Sequence, residues 1–282
     1  MFNNNLQKGI ICIISSCFFF TLMSVFIKLS LSNLLLIETL FLRSLSAFLI
    51  LATIIYIKKK NYKTLNFKLH FLRSVIGTLA MLCMFYSLSN LPISNVIIIS
   101  FSKIFFIIPL AVFFLREKLS ISSFFLICIG FVGVIIAIGA ESYKNNSYFY
   151  IFAFSGAFLI ALVKILIKKI VRVEDTFQIQ FWFAFLSTSF LLIPYFLTFV
   201  SLPSLLDMII VFCSAVCGLS AQFFTIIGLK LADATKVLPF DFFRVIFGII
   251  FGITVFSENI TFGVLLGGLL ILFSSILLIK KA

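Results

Sequence analysis

Charged side chains inside long apolar runs are the residues of this chain with the most obvious chemistry. Lys103 lies near the middle of one run, Arg43 lies within another, and Asp241 and Arg244 share a third at positions i and i+3. An ionised group inside a bilayer is costly, so a charge at such a depth is by default a candidate for binding a substrate or an ion. We therefore take these four residues as candidates for substrate binding.

The charges within the apolar runs do not balance. Two are carboxylates, Glu38 and Asp241, and five are cations: Lys28, Arg43, Lys103, Lys164 and Arg244. A surplus of buried positive charge is unfavourable unless an anion neutralises it or a lysine loses its proton. Because arginine and lysine both bind carboxylates and phosphates, the surplus predicts a substrate with an anionic group. Lys28 and Lys164 have an alternative role, since both fall near the ends of their runs and can extend to the lipid headgroups.

The remaining charged candidates also have structural alternatives. Arg43 could form an ion pair with Glu38 at one end of their run. Asp241 and Arg244 are close enough along one helix to pair with each other. Lys103 has no acidic partner of this kind on its own helix, which makes it the strongest candidate for a functional role.

Four further residues are candidates by residue type. Gln222 lies in the middle of an apolar run, so its amide needs a partner, which a ligand or another helix could supply. Tyr86 could stack on a ligand or pack as an interfacial aromatic residue. Pro109 and Pro239 interrupt backbone hydrogen bonds in two runs and predict hinges or gates, with static packing as the alternative.

The composition identifies the medium in which these residues work. Of 282 residues, 63% are hydrophobic and 11% are charged, whereas a soluble domain carries about 25% charged residues. A soluble enzyme and a nucleic-acid binder are therefore excluded, although the net charge is +13. The apolar runs have the length of membrane spans, and only helices or closed barrels satisfy the backbone in lipid. The sequence predicts an all-α integral membrane protein with ten transmembrane helices, at 9–30, 35–56, 71–89, 94–115, 121–139, 148–167, 178–199, 207–228, 236–256 and 262–279.

Basic residues predict the orientation of these spans. The segment from Lys58 to Arg73, between spans 2 and 3, is the richest in lysine and arginine. Sixteen basic residues fall at loops and ends on that side, and only Lys144 falls on the other. Since cytoplasmic loops carry the excess of basic residues, both termini are predicted to be cytoplasmic.

The two halves of the chain resemble each other at an offset of 140 or 141 residues. The matching pairs are Gly77 with Gly218, Ser94 with Thr235, Lys103 with Arg244, Glu117 with Glu258, Lys28 with Lys168, and Glu38 with Gln178. Five spans is an odd number, so the second half enters the membrane from the opposite side. The sequence predicts two inverted five-helix repeats, 1–141 and 142–282, an architecture of many secondary transporters.

Other kinds of chemistry lack the residues that they need. His70 is the single histidine, and the six cysteines form no C-x-x-C pair, so neither a metal site nor a cofactor is predicted. No phosphate-binding G-x-x-x-x-G-K-[ST] motif occurs, so hydrolysis of ATP by this chain is not expected. The chain is predicted not to be an enzyme, and its partners are a small metabolite and the lipid bilayer. Nothing in the sequence indicates an oligomeric state.

Several stretches resemble the EamA-type permeases of the drug/metabolite transporter superfamily. They are 38–43 (Glu-Thr-Leu-Phe-Leu-Arg), 85–92 (ending Asn-Leu-Pro), 115–120 (Leu-Arg-Glu-Lys-Leu-Ser), 130–133 (Gly-Phe-Val-Gly) and 231–235 (Leu-Ala-Asp-Ala-Thr). The resemblance covers essentially the whole chain. It implies ten spans and a central cavity lined from both halves, with spans 5 and 10 peripheral.

Within that superfamily, the stretch 233–244 is similar to the S-adenosylmethionine uptake carriers of intracellular bacteria, and it departs from their pattern at Asp241 and Arg244. The resemblance implies a multi-pass transporter of the bacterial inner membrane. The first hypothesis is a secondary carrier for a metabolite with an anionic group, including S-adenosylmethionine uptake. Export of amino acids or related metabolites is the alternative within the superfamily, and a membrane scaffold is the alternative of another class.

Overall fold

The long apolar runs of the sequence form helices throughout the part of the chain that is described. The computed structural model describes residues 4–59, 62–115, 121–139, 147–198, 202–237, 240–241, 243–259 and 261–281. No strand occurs in these ranges. Helices satisfy every internal backbone donor and acceptor within one segment, which a lipid environment requires.

Six helices form from the first half of the chain. They are α1 (Asn4–Ser30), α2 (Leu36–Lys58), α3 (Phe67–Asn90), α4 (Ile93–Ser100), α5 (Lys103–Leu115) and α6 (Ile121–Gly139). α2 ends at a left-handed residue, Lys59 (φ 47°, ψ 39°), whose N–H bonds to the carbonyl of Ile55. α4 begins directly after Pro92, which has no N–H to leave unsatisfied at a helix start.

The second half repeats this order of long and short helices. Its members are α7 (Ser147–Ile170), α8 (Thr176–Thr198), α9 (Leu205–Leu231), α10 (Ala234–Val237), α11 (Phe243–Phe256) and α12 (Phe262–Lys281). In each half, three long helices are followed by a broken one and then by a final helix. The division into inverted repeats at residue 141 remains a prediction.

The two broken helices correct the sequence prediction of continuous spans over 94–115 and 236–256. α4 and α5 are separated at Phe101 and Ser102, where the Ser102 N–H turns back to the carbonyl of Ile99 at 2.9 Å. α10 and α11 are separated by residues that include a tight turn at 240–241. Pro239 lies outside the described residues, and Pro109 lies inside α5 rather than at its break. Hydropathy misses such breaks because the mean hydropathy of each run stays high across the one or two polar residues at the break.

The helices pack in corresponding pairs. α1 packs along α9 and α3 packs along α7, while α2 packs against α8 and α6 against α12. Within the described ranges, six helices are long and apolar enough to cross a membrane, and 93–107, 243–256 and 262–274 are shorter apolar segments. Large apolar side chains such as Phe113, Leu197 and Phe262 are strongly exposed. An all-helical bundle with an apolar outer surface is what a bilayer stabilises.

Candidate substrate cavity

A cavity lies between the helices of the two halves. Its empty space is about 970 Å³, a volume that includes open solvent at its mouth. Its described lining residues come from α1 to α5, α7 to α9 and α11, and none comes from α6 or α12. Most of the lining is apolar, but it includes five cations: Arg43, Arg73, Lys103, Lys164 and Arg244.

Arg73 is held against an aromatic ring by one strong hydrogen bond. Its Nη2 donates to the Oε1 of Gln222 at 2.8 Å. Its guanidinium carbon lies 4.0 Å from the ring centroid of Phe183, a cation–π distance. The side chain is only 1% exposed, yet its Nε and Nη1 atoms have no hydrogen-bond partner.

Arg43 has weaker partners. Its Nη1 and Nη2 atoms donate to the sulfurs of Met81 at 3.1 Å and Met23 at 3.2 Å, and thioether sulfur is a weak acceptor. Its Nε has no partner. Gly218 of α9 leaves the space for this guanidinium, because a Cβ at that position would collide with Nη2 of Arg43. We refer to Arg43 and Arg73 as the arginine pair.

The breaks in α4/α5 and α10/α11 bring one close ion pair together. Nζ of Lys103, the first residue of α5, lies 2.5 Å from Oδ2 of Asp241, which lies two residues before the start of α11. The Cys17 thiol of α1 donates to Oδ1 of Asp241 at 3.2 Å. Both charged side chains are almost fully buried. The pair thus joins the first half of the chain to the second at the centre of the molecule.

Two more cations lie near this ion pair and have only long hydrogen bonds. Nζ of Lys164 donates to Thr225 Oγ1 at 3.4 Å, and Nη2 of Arg244 donates to Ser24 Oγ at 3.4 Å. Both lie near the ring of Phe20, at 5.5 and 5.1 Å. We refer to Lys103, Lys164, Arg244 and Asp241 as the Asp241 cluster.

The cavity carries a surplus of positive charge. Among the described residues, Asp241 is the one carboxylate in an ion pair with any of the five cations. Buried charges without partners are costly, and arginine donors aimed into a cavity fit carboxylate or phosphate oxygens. The arrangement can therefore bind an anion.

The structure brings together most of the residues that the sequence singles out. Lys103, Arg43, Arg244 and Gln222 all line the cavity, and Asp241 pairs with Lys103 directly behind them. Tyr86 is not among the lining residues. Its ring packs 5.2 Å from that of Phe149 and 5.0 Å from that of Phe152. Pro109 is exposed, so neither residue contacts the cavity.

Arg73 is the functional candidate that the sequence analysis missed. In the sequence Arg73 counts as the last of the basic residues around the loop before span 3, because lysines precede it, although the predicted span 71–89 already includes it. α3 begins at Phe67, so Arg73 lies within the helix and faces the interior. The sequence does contain a sign of this position, because the stretch from Ser74 to Asn90 is uncharged. Arg73 can therefore be placed at the start of the span as well as at the end of the loop.

The structure shows whether the charged residues have the alternative partners and positions that the sequence allows. The described residues contain no ion pair between Arg43 and Glu38. Asp241 pairs with Lys103 rather than Arg244. Lys164 is 5% exposed and lines the cavity instead of extending to the headgroups.

Comparison with known proteins agrees with this geometry. A profile of the EamA-like transporter family matches the chain twice, at residues 7–139 and 147–280. The chain belongs to the EamA-like transporter family. It is therefore a transporter rather than an enzyme, and a multi-pass protein of the bacterial inner membrane.

Relatives of this EamA-family chain have different named activities. An uncharacterized transporter of Helicobacter pylori (strain J99) is 28% identical, with 99% of this chain and 97% of the relative covered. The S-adenosylmethionine uptake transporter of Rickettsia bellii is 27% identical, with 84% and 82% covered. The pseudopaline exporter CntI of Pseudomonas aeruginosa (strain UCBPP-PA14) is 22% identical, with 97% and 96% covered. One solved crystal structure matches with a TM-score of 0.73 at 13% identity over 98% of both chains, which shows a shared fold.

One end of the EamA-family bundle is joined by a carboxylate outside the spans. Oε1 of Glu258, in the loop after α11, accepts from Nζ of Lys28 at 2.8 Å and from the N–H of Ile93 at 2.6 Å. Its Oε2 accepts from the N–H of Ser94 at 3.1 Å. Burial raises the pKa of Glu258, but these donors outweigh it and hold the pKa below its usual range. Lys28 is thereby assigned a structural partner rather than a place in the cavity.

The opposite end has a carboxylate of the same kind. Oε1 of Glu174, in the loop between α7 and α8, accepts from the Thr64 hydroxyl at 2.6 Å and the Leu65 N–H at 3.0 Å. Its Oε2 lies 2.6 Å from Nε2 of His70. Burial raises the pKa of Glu174, and these hydrogen bonds lower it below its usual range. His70, for which the sequence predicts no role, thus joins α3 in the first half to the loop between α7 and α8 in the second half.

Proposed function

We propose that this chain is a secondary carrier that moves a small metabolite with an anionic group across the inner membrane by alternating access. The observation that carries the proposal is the cavity of five cations with a single paired carboxylate. Family membership shows that the chain is a transporter, and the positive charge of the cavity supports an anionic solute. Arginine and lysine supply donors that an anionic group satisfies, and binding of such a group relieves the cost of the buried charges.

We further infer that ten spans form two inverted five-helix repeats, 1–141 and 142–282, with both termini cytoplasmic. The recurring helix order and the corresponding packing of α1 on α9 and α7 on α3 support this architecture. The loop contacts support it as well. Glu258 joins loops that are expected outside, whereas Glu174 joins loops that are expected in the cytoplasm.

Alternating access would require the two ends to open in turn. The Glu258 contacts would then hold one end closed and the Glu174 contacts the other. The broken helices α4/α5 and α10/α11 meet at Lys103 and Asp241. A movement of one half would therefore change the positions of charged side chains at the cavity. A solute can drive such a movement only through a difference in its affinity for the two states.

The relatives supply two candidate directions of flux. S-adenosylmethionine uptake is a candidate because the Rickettsia relatives carry that name, and its carboxylate can meet the cavity's cations. Export of a metabolite is the second candidate, because the Pseudomonas relative is named an exporter.

The test is uptake of radiolabelled S-adenosylmethionine by bacterial cells that express the chain, with empty vector alongside. Unlabelled amino acids, nucleotides and S-adenosylhomocysteine serve as competitors. Arg73→Gln removes a cavity cation, and Arg172→Gln is the matched control because Arg172 is exposed. Import of S-adenosylmethionine through this cavity requires saturable uptake that Arg73→Gln abolishes and Arg172→Gln retains. Absence of uptake above vector, with the protein confirmed in the membrane, would exclude S-adenosylmethionine import and direct the same comparison to efflux of preloaded carboxylates. Absence of transport in both directions would favour a scaffold.

A further inference from the structure

The five cavity cations fall into two groups at different depths. The arginine pair contacts Met23 of α1 and Gln222 of α9. Lys164 and Arg244 of the Asp241 cluster lie near Phe20 of α1, and Lys164 donates to Thr225 of α9. Three residues along a helix correspond to roughly 4.5 Å. Arg73 bonds to Gln222, whereas Lys164 bonds to Thr225, so the two groups are displaced along α9 by about one helical turn. On α1 they are closer together, because Arg244 also donates to Ser24, next to Met23.

Each group has its own charge surplus. The arginine pair has two cations and no carboxylate among the described residues. The Asp241 cluster has three cations and one carboxylate, since Asp241 pairs with Lys103. A single anionic group can approach one of these groups closely, which leaves the other uncompensated in a buried position. The charge distribution is thus poorly matched to a solute with one negative charge.

Unsatisfied donors lie in both groups. Nε of Arg43 and both Nε and Nη1 of Arg73 lack partners in the arginine pair, and Nε of Arg244 lacks one in the Asp241 cluster. These residues are 5%, 1% and 7% exposed. Buried donors are rarely left unpaired, and guanidinium groups bind planar or tetrahedral oxyanions with two donors at once. Each group can therefore accept one oxyanion.

The rest of the cavity lining is largely apolar and aromatic. Phe20 and Phe183 present rings to the cations, and Ile160, Val163 and Met84 are further apolar lining residues. Such a surface fits a compact carbon skeleton or a flat ring rather than a further charged group.

We propose that the transported solute carries two anionic groups, one bound by Arg43 and Arg73 and the other by Lys164 and Arg244, on a compact and less polar skeleton. This rests on the proposed function, in which the cavity is the transport site. The shared chemistry is the oxyanion, which a dicarboxylate or a phosphorylated carboxylate supplies equally. S-adenosylmethionine has one carboxylate, together with a sulfonium and an amine, and so matches one group only.

The test is thermal unfolding of the purified protein in detergent over a titration of matched probes at constant ionic strength. Succinate and butyrate have the same number of carbons but two and one carboxylates. Phosphoglycolate and glycolate form a second pair in which phosphate replaces one carboxylate. Each charge-assisted contact is worth about tenfold or more in affinity. We therefore expect the dianion of at least one pair to bind about tenfold or more tightly than its monoanion.

Variants test whether each of the two groups of cations binds one end of the dianionic probe. Arg73→Gln and Lys164→Gln each remove one cation from one group, and both are expected to reduce the preference for the dianion to about twofold or less. Arg172→Gln is expected to retain it. Size-exclusion profiles identify any variant that fails to fold, and Arg73→Lys then replaces Arg73→Gln, with an intermediate loss expected because lysine lacks the second donor.

The outcomes separate this inference from the proposed function. Equal affinity for dianion and monoanion in both pairs, or a preference that survives in both Arg73→Gln and Lys164→Gln, would overturn the two-anion inference. Saturable transport of a singly anionic metabolite alongside that result would leave the carrier proposal intact. If no solute of any class is bound or transported, both proposals are wrong.

Discussion

Buried guanidinium groups in the cavity carry a desolvation cost. Arg43 is 5% exposed, and it bonds only to two methionine sulfurs and lies near one aromatic ring. Removal of its charge relieves a desolvation cost that these weak contacts do not repay. Functional sites commonly retain residues of this kind at the expense of stability.

Arg43→Met is therefore predicted to stabilise the empty protein and to impair transport. Methionine keeps the apolar contacts, and a gain of about 1 kcal/mol would raise the melting temperature by roughly 2–4 °C in a chain of 150–250 residues and somewhat less in a longer one. Transport should fall about tenfold or more, since a charge-assisted contact to the solute is lost. Thermal unfolding and uptake measured on the same preparation check this, with Arg172→Met as control. A clear fall in melting temperature would contradict the argument.

The Lys103–Asp241 pair predicts an asymmetric mutant cycle. Asp241→Asn leaves three cations without a carboxylate, whereas Lys103→Met leaves Asp241 with Lys164 and Arg244 nearby. Loss of one partner of a buried pair costs about 3–5 kcal/mol. We expect Asp241→Asn to lower the melting temperature most, and the double variant to be more stable than Asp241→Asn alone. Equal effects of the two single variants would argue against the charge surplus.

At this scale the sequence predicts residue types better than contacts. Lys103, Arg43 and Arg244 stand out because charge in an apolar run is costly. Their partners come from other helices, so sequence proximity offers only same-helix alternatives, Asp241 with Arg244 and Arg43 with Glu38, neither of which forms an ion pair in the described part of the chain. Arg73 escaped because its position at a span boundary depends on where α3 begins.

The elements that position these residues are the two broken helices. α5 begins at Lys103 and α11 begins just after Asp241, so each break places a charged side chain at the centre of the bundle. Hydrophobic periodicity predicts the existence and the approximate bounds of the long helices. It does not predict the break at Phe101–Ser102, because neither residue differs in character from its neighbours.

The start of α4 depends on a carboxylate from a distant loop. Glu258 satisfies the N–H groups of Ile93 and Ser94, which have no partner within the helix. Its negative charge also opposes the positive end of the helix dipole. The offset match between Glu117 and Glu258 predicts a second carboxylate of this kind, although Glu117 lies outside the described residues.

Glu258→Gln is predicted to destabilise the protein by about 1–3 kcal/mol at neutral pH, because hydrogen bonds to a charged acceptor are lost. The pKa of Glu258 is lowered in the folded state, so its contribution is complete above the pKa of the unfolded chain and is lost as pH falls through the folded value. Wild type should therefore lose stability on acidification more steeply than Glu258→Gln. Melting temperatures measured as a function of pH give the comparison.

Asp233→Asn is the control for this experiment. Asp233 is exposed and forms only a surface ion pair with Lys236 at 3.3 Å. Exposed pairs contribute little, so this variant should follow the wild-type pH profile. Parallel profiles for wild type and Glu258→Gln would refute the role assigned to Glu258.

The whole molecule is organised so that two sets of loop contacts lie at opposite ends of the bundle. The side-chain amide of Asn33 donates to Oδ1 of Asp207 at 2.9 Å. Under the predicted topology, this contact lies at the same end of the bundle as Glu258. The contacts of Glu174 and of Lys168, which donates to the carbonyls of Leu229 and Ala232, fall at the other end. In the predicted ten-span topology, each of these contacts joins loops or helix ends that lie on the same side of the membrane.

Reporter fusions test that topology. Green fluorescent protein fused after residue 282 should fluoresce, because it folds in the cytoplasm. Alkaline phosphatase fused after Ser204 should be active, because that loop is predicted to lie outside, and a fusion after Thr64 should be inactive. Activity after Thr64 together with inactivity after Ser204 would reverse the orientation, and equal activity at both sites would contradict an odd number of spans between the two.

We predict that anionic solutes enter a water-accessible cavity lined by buried cations. The most direct test measures the reaction rates of Met81→Cys with an anionic and a cationic methanethiosulfonate reagent, in a background without the six native cysteines. The ratio of the anionic to the cationic rate at Met81→Cys is divided by the same ratio at an exposed position, Leu202→Cys. Met81 lines the cavity beside Arg43, and a cationic cleft raises the local anion concentration about tenfold or more. We predict a normalised ratio of about ten or higher that falls toward one in Arg73→Gln. A ratio near one in the wild-type cavity, or no reaction with either reagent, would contradict the account.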